Sequence, residues 1–201
     1  MNSKTVQIAL FVIFIVVAGG GLYFGLSGSS SETNEERTAQ TVHILKYSDY
    51  QCPACRDGYE LIKPLKEEFG DMVDVEYRHF PLSGFQYSRG AAHAAEAARE
   101  QGMFDEMTAL IFDNQAEWSR GGAEEMFEQF AEEIGLDMDQ YYEDKESEEI
   151  HARVESQREE GIRRTVNATP TYFMNGQKLQ QNPRTYEQMK SIVELYMYRS
   201  N

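Results

Sequence analysis

The two cysteines of this 201-residue chain stand three positions apart, at Cys52 and Cys55, and their flanks restrict the folds open to it. Upstream, the apolar run Val42 to Tyr47 has the length and composition of a short buried strand. Downstream of Pro53, Tyr59, Leu61, Ile62, Leu65 and Phe69 recur at helical spacing. The pair therefore lies where a strand hands over to a helix. A helix N-terminus offers unpaired backbone N–H groups and the positive end of the macrodipole, and both favour a thiolate at Cys52. Proline suits the first turn, where its missing N–H is not needed. Cys55 falls one turn later on the same face, within disulfide reach. In this setting the Cys-x-x-Cys spacing is a thiol-disulfide redox motif.

Two other uses of the spacing fail on the rest of the chain. A zinc site needs about four ligands. There is no second cysteine pair, and His43, His79, His93 and His151 are scattered singly, so no metal is expected. A purely structural disulfide closing so short a loop would restrict the unfolded chain little, because the stabilisation grows with loop length.

Val6 to Leu26 is an uncharged run of 21 residues, about 31 Å long as a helix and so close to the hydrocarbon thickness of a bilayer. It reads as a single-pass membrane anchor over 6–26. Lys4 precedes it and Glu32, Glu35 and Glu36 follow, which puts residues 1–5 in the cytoplasm and the remainder on the extracytoplasmic side. A cleaved signal peptide is the competing reading, since the most apolar part, Ile8 to Val17, is short and runs into Ala18-Gly19-Gly20-Gly21. Leu22 to Leu26 extends the apolar run and favours the retained anchor. Both readings export the domain, in keeping with a motif whose disulfide persists outside the cytosol. Residues 27–40 are polar, rich in Ser, Gly and Glu, and read as a flexible tether. Beyond it 17 basic residues face 31 acidic ones, a balance near -14 that argues against nucleic-acid binding and against docking on anionic lipid.

The domain over 41–201 carries on with Val73, Val75 and Tyr77 alternating in a second strand, Met72 to Phe80. Strand, helix and strand form a βαβ unit, expected to be parallel with a right-handed crossover. From about 86 to 166 the composition turns helical. Ala91, Ala92, Ala94, Ala95, Ala97 and Ala98 are strong helix formers, Gly102, Gly121-Gly122 and Gly135 divide several short helices, and Met107, Ile111, Phe127 and Phe130 lie on core-facing stripes. Trp118 is read as core or as part of a substrate groove. Glu143 to Glu149 reads as a solvated helix face rather than a calcium loop, since it lacks the central glycine. Thr171 to Met174 is rich in strand formers, Asn175-Gly176 is a hairpin turn, and Gln177 to Leu179 pairs back. A last helix is expected from about Thr185 to Tyr198.

Three stretches together give the chain a family likeness: the cysteine motif from Tyr47 to Cys55, Asn114-Gln115-Ala116-Glu117-Trp118, and Thr169-Pro170-Thr171-Tyr172-Phe173 with its Asn-Gly turn. Over about 41–199 the chain resembles the DsbA-like thiol-disulfide oxidoreductases of the thioredoxin superfamily, and within them the membrane-tethered bacterial group. The resemblance implies an α/β thioredoxin fold with an inserted helical subdomain, here preceded by the N-terminal transmembrane helix. It implies Cys52 and Cys55 as the redox-active, catalytic disulfide, and Thr169 and Pro170 as substrate-binding residues, their bond cis and packed on the cysteines. It implies no dissolved cofactor, exported protein thiols as substrates, and a quinone-linked membrane partner of the DsbB or VKOR type for recycling. One position departs from the family, where a buried acid six residues before the first cysteine moves protons. Here that residue is Lys46, which does not copy the acid. If it approaches the pair it favours thiolate; otherwise its stem packs on the sheet while the ammonium reaches water.

The activity expected is disulfide formation in exported proteins. A reductase or isomerase of the same fold, and a chaperone-like module that binds chains through the helical insertion, are the alternatives. Pro53-Ala54 supplies no imidazolium, so the Cys52 pKa is expected above the value of about 3.5 for DsbA, and the potential between about -270 and -120 mV.

Overall fold

A computed structural model of the protein describes residues 38–199. The cytoplasmic end expected over 1–5, the span over 6–26 and nearly all of the tether over 27–40 lie outside the described residues, among which no helix is long and apolar enough to cross a membrane.

Four strands form one sheet: β1 (Val42–Ser48), β2 (Val73–His79), β3 (Thr171–Met174) and β4 (Gln177–Lys178), in the order β2-β1-β3-β4. β1 runs parallel to β2, and β3 runs antiparallel to both β1 and β4. The apolar run around Ile44 is thereby the central strand, flanked on both edges, and it is buried along its length except at His43. The expected βαβ unit and the Asn175-Gly176 hairpin are both present.

The helix after the cysteines differs from the expected continuous one. It is two helices, α1 (Pro53–Glu60) and α2 (Lys63–Phe69), separated at Leu61 and Ile62. Pro64 is the cause: it has no N–H to donate back to Glu60, so the chain tightens, with Ile62 N donating to Tyr59 O at 3.0 Å and Leu65 N to Ile62 O at 3.0 Å. A 3-10 turn, Gly70–Met72, leads into β2.

The inserted helices are α3 (Ser88–Glu100), α4 (Phe104–Asp113), α5 (Gln115–Trp118), α6 (Ala123–Glu133), α7 (Met138–Lys145) and α8 (Glu148–Arg163). The alanines of α3 are all buried, and their small side chains let α3 serve as the central helix against α4, α6, α7 and α8. Trp118 belongs to this core and not to a groove; it is fully buried and its Nε1 donates to Ile111 O at 2.7 Å. The acidic run Glu143 to Glu149 is a junction rather than one helix face: α7 ends at Lys145, and Ser147 caps α8 by accepting from Ile150 N at 3.2 Å. The last helix, α9 (Tyr186–Met197), starts after Thr185, whose hydroxyl accepts from Gln188 N at 3.3 Å.

Strand alternation sorts the sheet's side chains into two cores. Val42, Ile44, Tyr172 and Met174 face Ile62 and Leu65 and, on α9, Met189, Val193 and Met197. Leu45, Tyr47 and Phe173 face Phe80 and Val166 on the other side. There α8 comes so close that a Cβ on Gly161 would lie 2.7 Å from Phe80 Cδ2.

Candidate active site

The strand-to-helix turn brings both cysteines together with Thr169 and Pro170. Cys52 is the N-cap of α1, in extended backbone conformation, with Pro53 following in the first turn. The Thr169-Pro170 bond is cis, and the Cys52 thiol donates to Thr169 O at 3.5 Å. The Asp49 N–H donates to Cys55 Sγ at 3.4 Å.

These contacts separate the two sulfurs electrostatically. The Cys52 thiol is pulled down to about 6, first by the hydrogen bond from Cys55, against the opposing effect of burial, and then by the Thr169 hydroxyl and the N–H groups of Cys55 and Ala54. That hydroxyl is buried and otherwise unpartnered, so a Cys52 thiolate is the acceptor it lacks. Cys55 is pushed well above its ordinary value, chiefly by burial and then by its bond to Cys52, while Lys46 partly offsets the rise. Only Cys52 is poised to ionise near neutral pH. Although it stands at a helix start, Cys52 is only 7% exposed, against none for Cys55, because Thr169 and the insertion close over it.

The turn itself is clamped by residues for which sequence reasoning assigned no task. Asp49 Oδ1 accepts from Ser88 Oγ at 2.6 Å and from Gln51 N at 2.8 Å, and its Oδ2 accepts from Leu82 N at 2.7 Å. Gln51 Oε1 accepts from Tyr87 N at 2.8 Å. Gln115, buried at the start of α5, donates from Nε2 to Tyr50 O at 2.6 Å and to Cys52 O at 3.0 Å. Buried carbonyls left unpaired are costly, so these bonds hold the loop to the helical insertion. The only available signal was that all three lie inside the stretches that carried the family likeness.

Lys46 takes the first of the two courses, the approach to the cysteine pair. It is fully buried in the central strand and does not reach water. Its Nζ donates to Cys55 O at 2.9 Å and sits 5.6 Å from the Tyr77 ring centre and 5.4 Å from that of Phe112. The snorkelling alternative fails because α1 and the Phe112 ring cover the sheet face on which the side chain stands, and the approach to the cysteine pair holds. Beside the cysteines, Asp57 and Gly58 of α1 and Leu61 just after it, together with Pro170, Asn182 and Arg184, line a cavity of about 930 Å³.

A family model described as thioredoxin matches residues 37–195. Among curated proteins, the chain is 36% identical over 141 residues to the Na(+)/H(+) antiporter NhaA 1 of Mycobacterium sp. (strain KMS), covering 67% of this chain and 22% of that protein. It is 30% identical over 153 residues to the antiporter NhaA 3 of Salinispora tropica, covering 76% of this chain and 22% of that protein. The chain thus spans about a fifth of the length of the curated relatives it matches, 22% in both cases. Among solved structures, a thioredoxin-like oxidoreductase from Silicibacter pomeroyi DSS-3 superposes with a TM-score of 0.64 at 25% identity over 78% of this chain and 86% of that one. The α-DsbA1 of Wolbachia pipientis gives 0.68 at 16% identity over 78% and 86%. BdbD of Bacillus subtilis, in its oxidised form, gives 0.67 at 18% identity over 80% and 92%. At such identities these last two speak for the fold.

Proposed function

We propose, from the premise that this chain belongs to the thioredoxin family as a DsbA-like thiol-disulfide oxidoreductase, that it acts as an oxidase that forms disulfides in exported proteins, held by its N-terminal segment in the cell membrane with the domain on the extracytoplasmic side. The direction is supported by the placement of Cys52 at the N-cap of α1, where its thiol is lowered to about 6, next to a buried Cys55 that resists ionisation. A stabilised thiolate favours the reduced pair, which makes the oxidised pair the stronger oxidant.

In the oxidised protein a substrate thiolate attacks Cys52 Sγ, the Cys52–Cys55 bond breaks, and its electron pair leaves on Cys55. A second substrate thiolate then attacks the substrate sulfur of the mixed disulfide and expels Cys52 as thiolate. The substrate leaves oxidised by two electrons and the pair is reduced by two. Thr169 holds the incoming peptide through its backbone, in the manner of an added strand, and Pro170 sets the distance to the sulfurs. A quinone-linked membrane protein of the DsbB or VKOR type takes the electrons away. Antiport, the activity in the curated relatives' names, is no part of this reading, since the match covers 22% of their length.

A Cys52 value of about 6 lies between those of thioredoxin, about 7, and DsbA, about 3.5. The potential in a glutathione equilibrium is accordingly expected between about -270 and -120 mV. Chain isolated from cells under acid quench should carry the pair oxidised, and Cys55→Ser should accumulate mixed disulfides on Cys52 that Cys52→Ser does not form. A pair isolated reduced would make the protein a reductase. A Cys52→Ser chain that keeps its cellular role, with no trapped adducts, would make it a binding module.

A further inference from the structure

The sulfur that leaves when the disulfide opens is Cys55, and none of its surface meets water. Lys46 binds the Cys55 carbonyl and not its sulfur. Among the described residues, the one backbone donor on Cys55 Sγ is the Asp49 N–H, at 3.4 Å. That N–H is free for the task because the pairing of β1 with β2 ends one residue earlier, at Ser48 opposite His79. A thiolate forming at Cys55 has this donor in place before the bond breaks, as a developing oxyanion has in its hole.

What keeps the N–H on its target is the side chain of the same residue. The Asp49 carboxylate is buried, and three donors from three segments converge on it. Gln51 N lies 2.8 Å away within the turn, Leu82 N 2.7 Å away in the loop after β2, and Ser88 Oγ 2.6 Å away at the start of α3. An Asx turn needs only the first of these. The other two fasten the residue from outside the turn, and a buried carboxylate held by three donors has little freedom to swing. The Asp49 carbonyl also accepts from Cys52 N at 3.1 Å, so backbone and side chain are both tied.

We propose that Asp49 is a positioning residue for the exchange: its pinned carboxylate aims its own N–H at Cys55 Sγ and so makes Cys55 the better leaving group. This rests on the exchange chemistry proposed above. A substrate thiolate attacks Cys52 Sγ and a bond forms between the two sulfurs. The Cys52–Cys55 bond breaks, and its electron pair goes to Cys55 Sγ, where the Asp49 N–H meets it. The second substrate thiol then ionises, attacks the substrate sulfur of the mixed disulfide and expels Cys52 as thiolate. The proton it releases ends on Cys55. The charge of the carboxylate acts the other way, since a negative group in the same turn opposes a new thiolate. Aim and charge therefore predict opposite signs for the neutral isostere.

The test uses the full oxidised chain with dithiothreitol as the probe, following the opening of the disulfide by quenched alkylation and mass spectrometry. Asp49→Asn keeps the shape but sets an amide N–H where one of the three donors needs an acceptor. Opening should be about tenfold slower, the loss expected for one hydrogen bond to a charged acceptor. Ser88→Ala removes one strut and leaves the charge, and should be slower by about threefold. The control is the glutathione adduct on Cys52 of Cys55→Ser, in which Cys55 is no longer the leaving sulfur. Its release by dithiothreitol should be the same with and without Asp49→Asn. Asp49→Asn that opens as fast as wild type, or faster, overturns the inference and leaves the exchange reading standing. Opening and adduct release that slow together also overturn it, because the turn is then merely distorted. A Cys55→Ser chain that forms no glutathione adduct overturns the exchange reading itself. If Asp49→Asn does not fold, Ser88→Ala decides alone, and a rate equal to wild type overturns the inference.

Discussion

Thr169 shows how one residue divides its work between two protonation states of the reduced Cys52. Its carbonyl accepts from the Cys52 thiol at 3.5 Å, while its buried hydroxyl finds a partner only when Cys52 is a thiolate. The hydroxyl therefore stabilises the ionised sulfur and contributes nothing to the thiol. Thr169→Val keeps the shape and deletes the donor, so it should leave folding of the thiol form nearly unchanged. A hydrogen bond to a charged acceptor is worth roughly 1.5 kcal/mol, close to one decade in an acid constant. Thiolate absorbance should titrate near pH 6 in wild type and near about 7 in Thr169→Val, which would also make the pair less oxidising. An unmoved midpoint would mean that Cys55 and the α1 N–H groups hold the thiolate unaided.

Among the elements, the contact between α3 and α8 is the one whose polar content was hidden. Glu96 is fully buried on α3. Burial pushes its carboxyl up, but His79 of β2, Arg99 and Arg153 of α8 outweigh that and hold it at about 2. Nearby, the His93 and His151 rings stack at 4.0 Å, and His93 is driven to about 4 by burial and by the facing imidazole. In the unfolded chain a histidine takes its proton near 6.5. As pH falls from about 6.5 to 4, the unfolded chain gains a proton that the fold refuses, so stability drops across that window and levels off below it. The loss should be on the order of 2 kcal/mol, read as a fall in the urea midpoint between pH 7 and 4.5, and His93→Gln should flatten it. Glu96 acts in a separate range: its contribution is complete above about 4.3 and is lost as pH falls through 2. A wild-type midpoint that holds steady down to pH 4.5 would refute the role of the stacked pair.

For the molecule as a whole, what could be read beforehand was whatever is written locally. The apolar run at Ile44, Pro53 at a helix start, the alanines of α3 and the Asn175-Gly176 turn each mark their own element, and each element is there. What depended on packing between elements could not be read, and Lys46 is the instance: its burial follows only once α1 and Phe112 are known to close over that face of β1. Net charge is a global property of the opposite kind, fully legible and blind to fold. At 19 basic against 34 acidic residues, the chain surrounds its one reactive sulfur with a negative field. That field should repel an anionic disulfide and attract a cationic one by a margin that salt removes, since the screening length falls from about 30 Å at 0.01 M to about 3 Å at 1 M. Cystamine should therefore oxidise the reduced chain several-fold faster at low salt than at high salt, and glutathione disulfide several-fold slower, the two rates converging as salt rises. Stopped-flow rates for both reagents would measure this. If neither rate moved with salt, the local environment of Cys52 would govern access, with Asp57 and Arg184 in the neighbouring cavity offsetting one another and the overall acidity serving solubility alone.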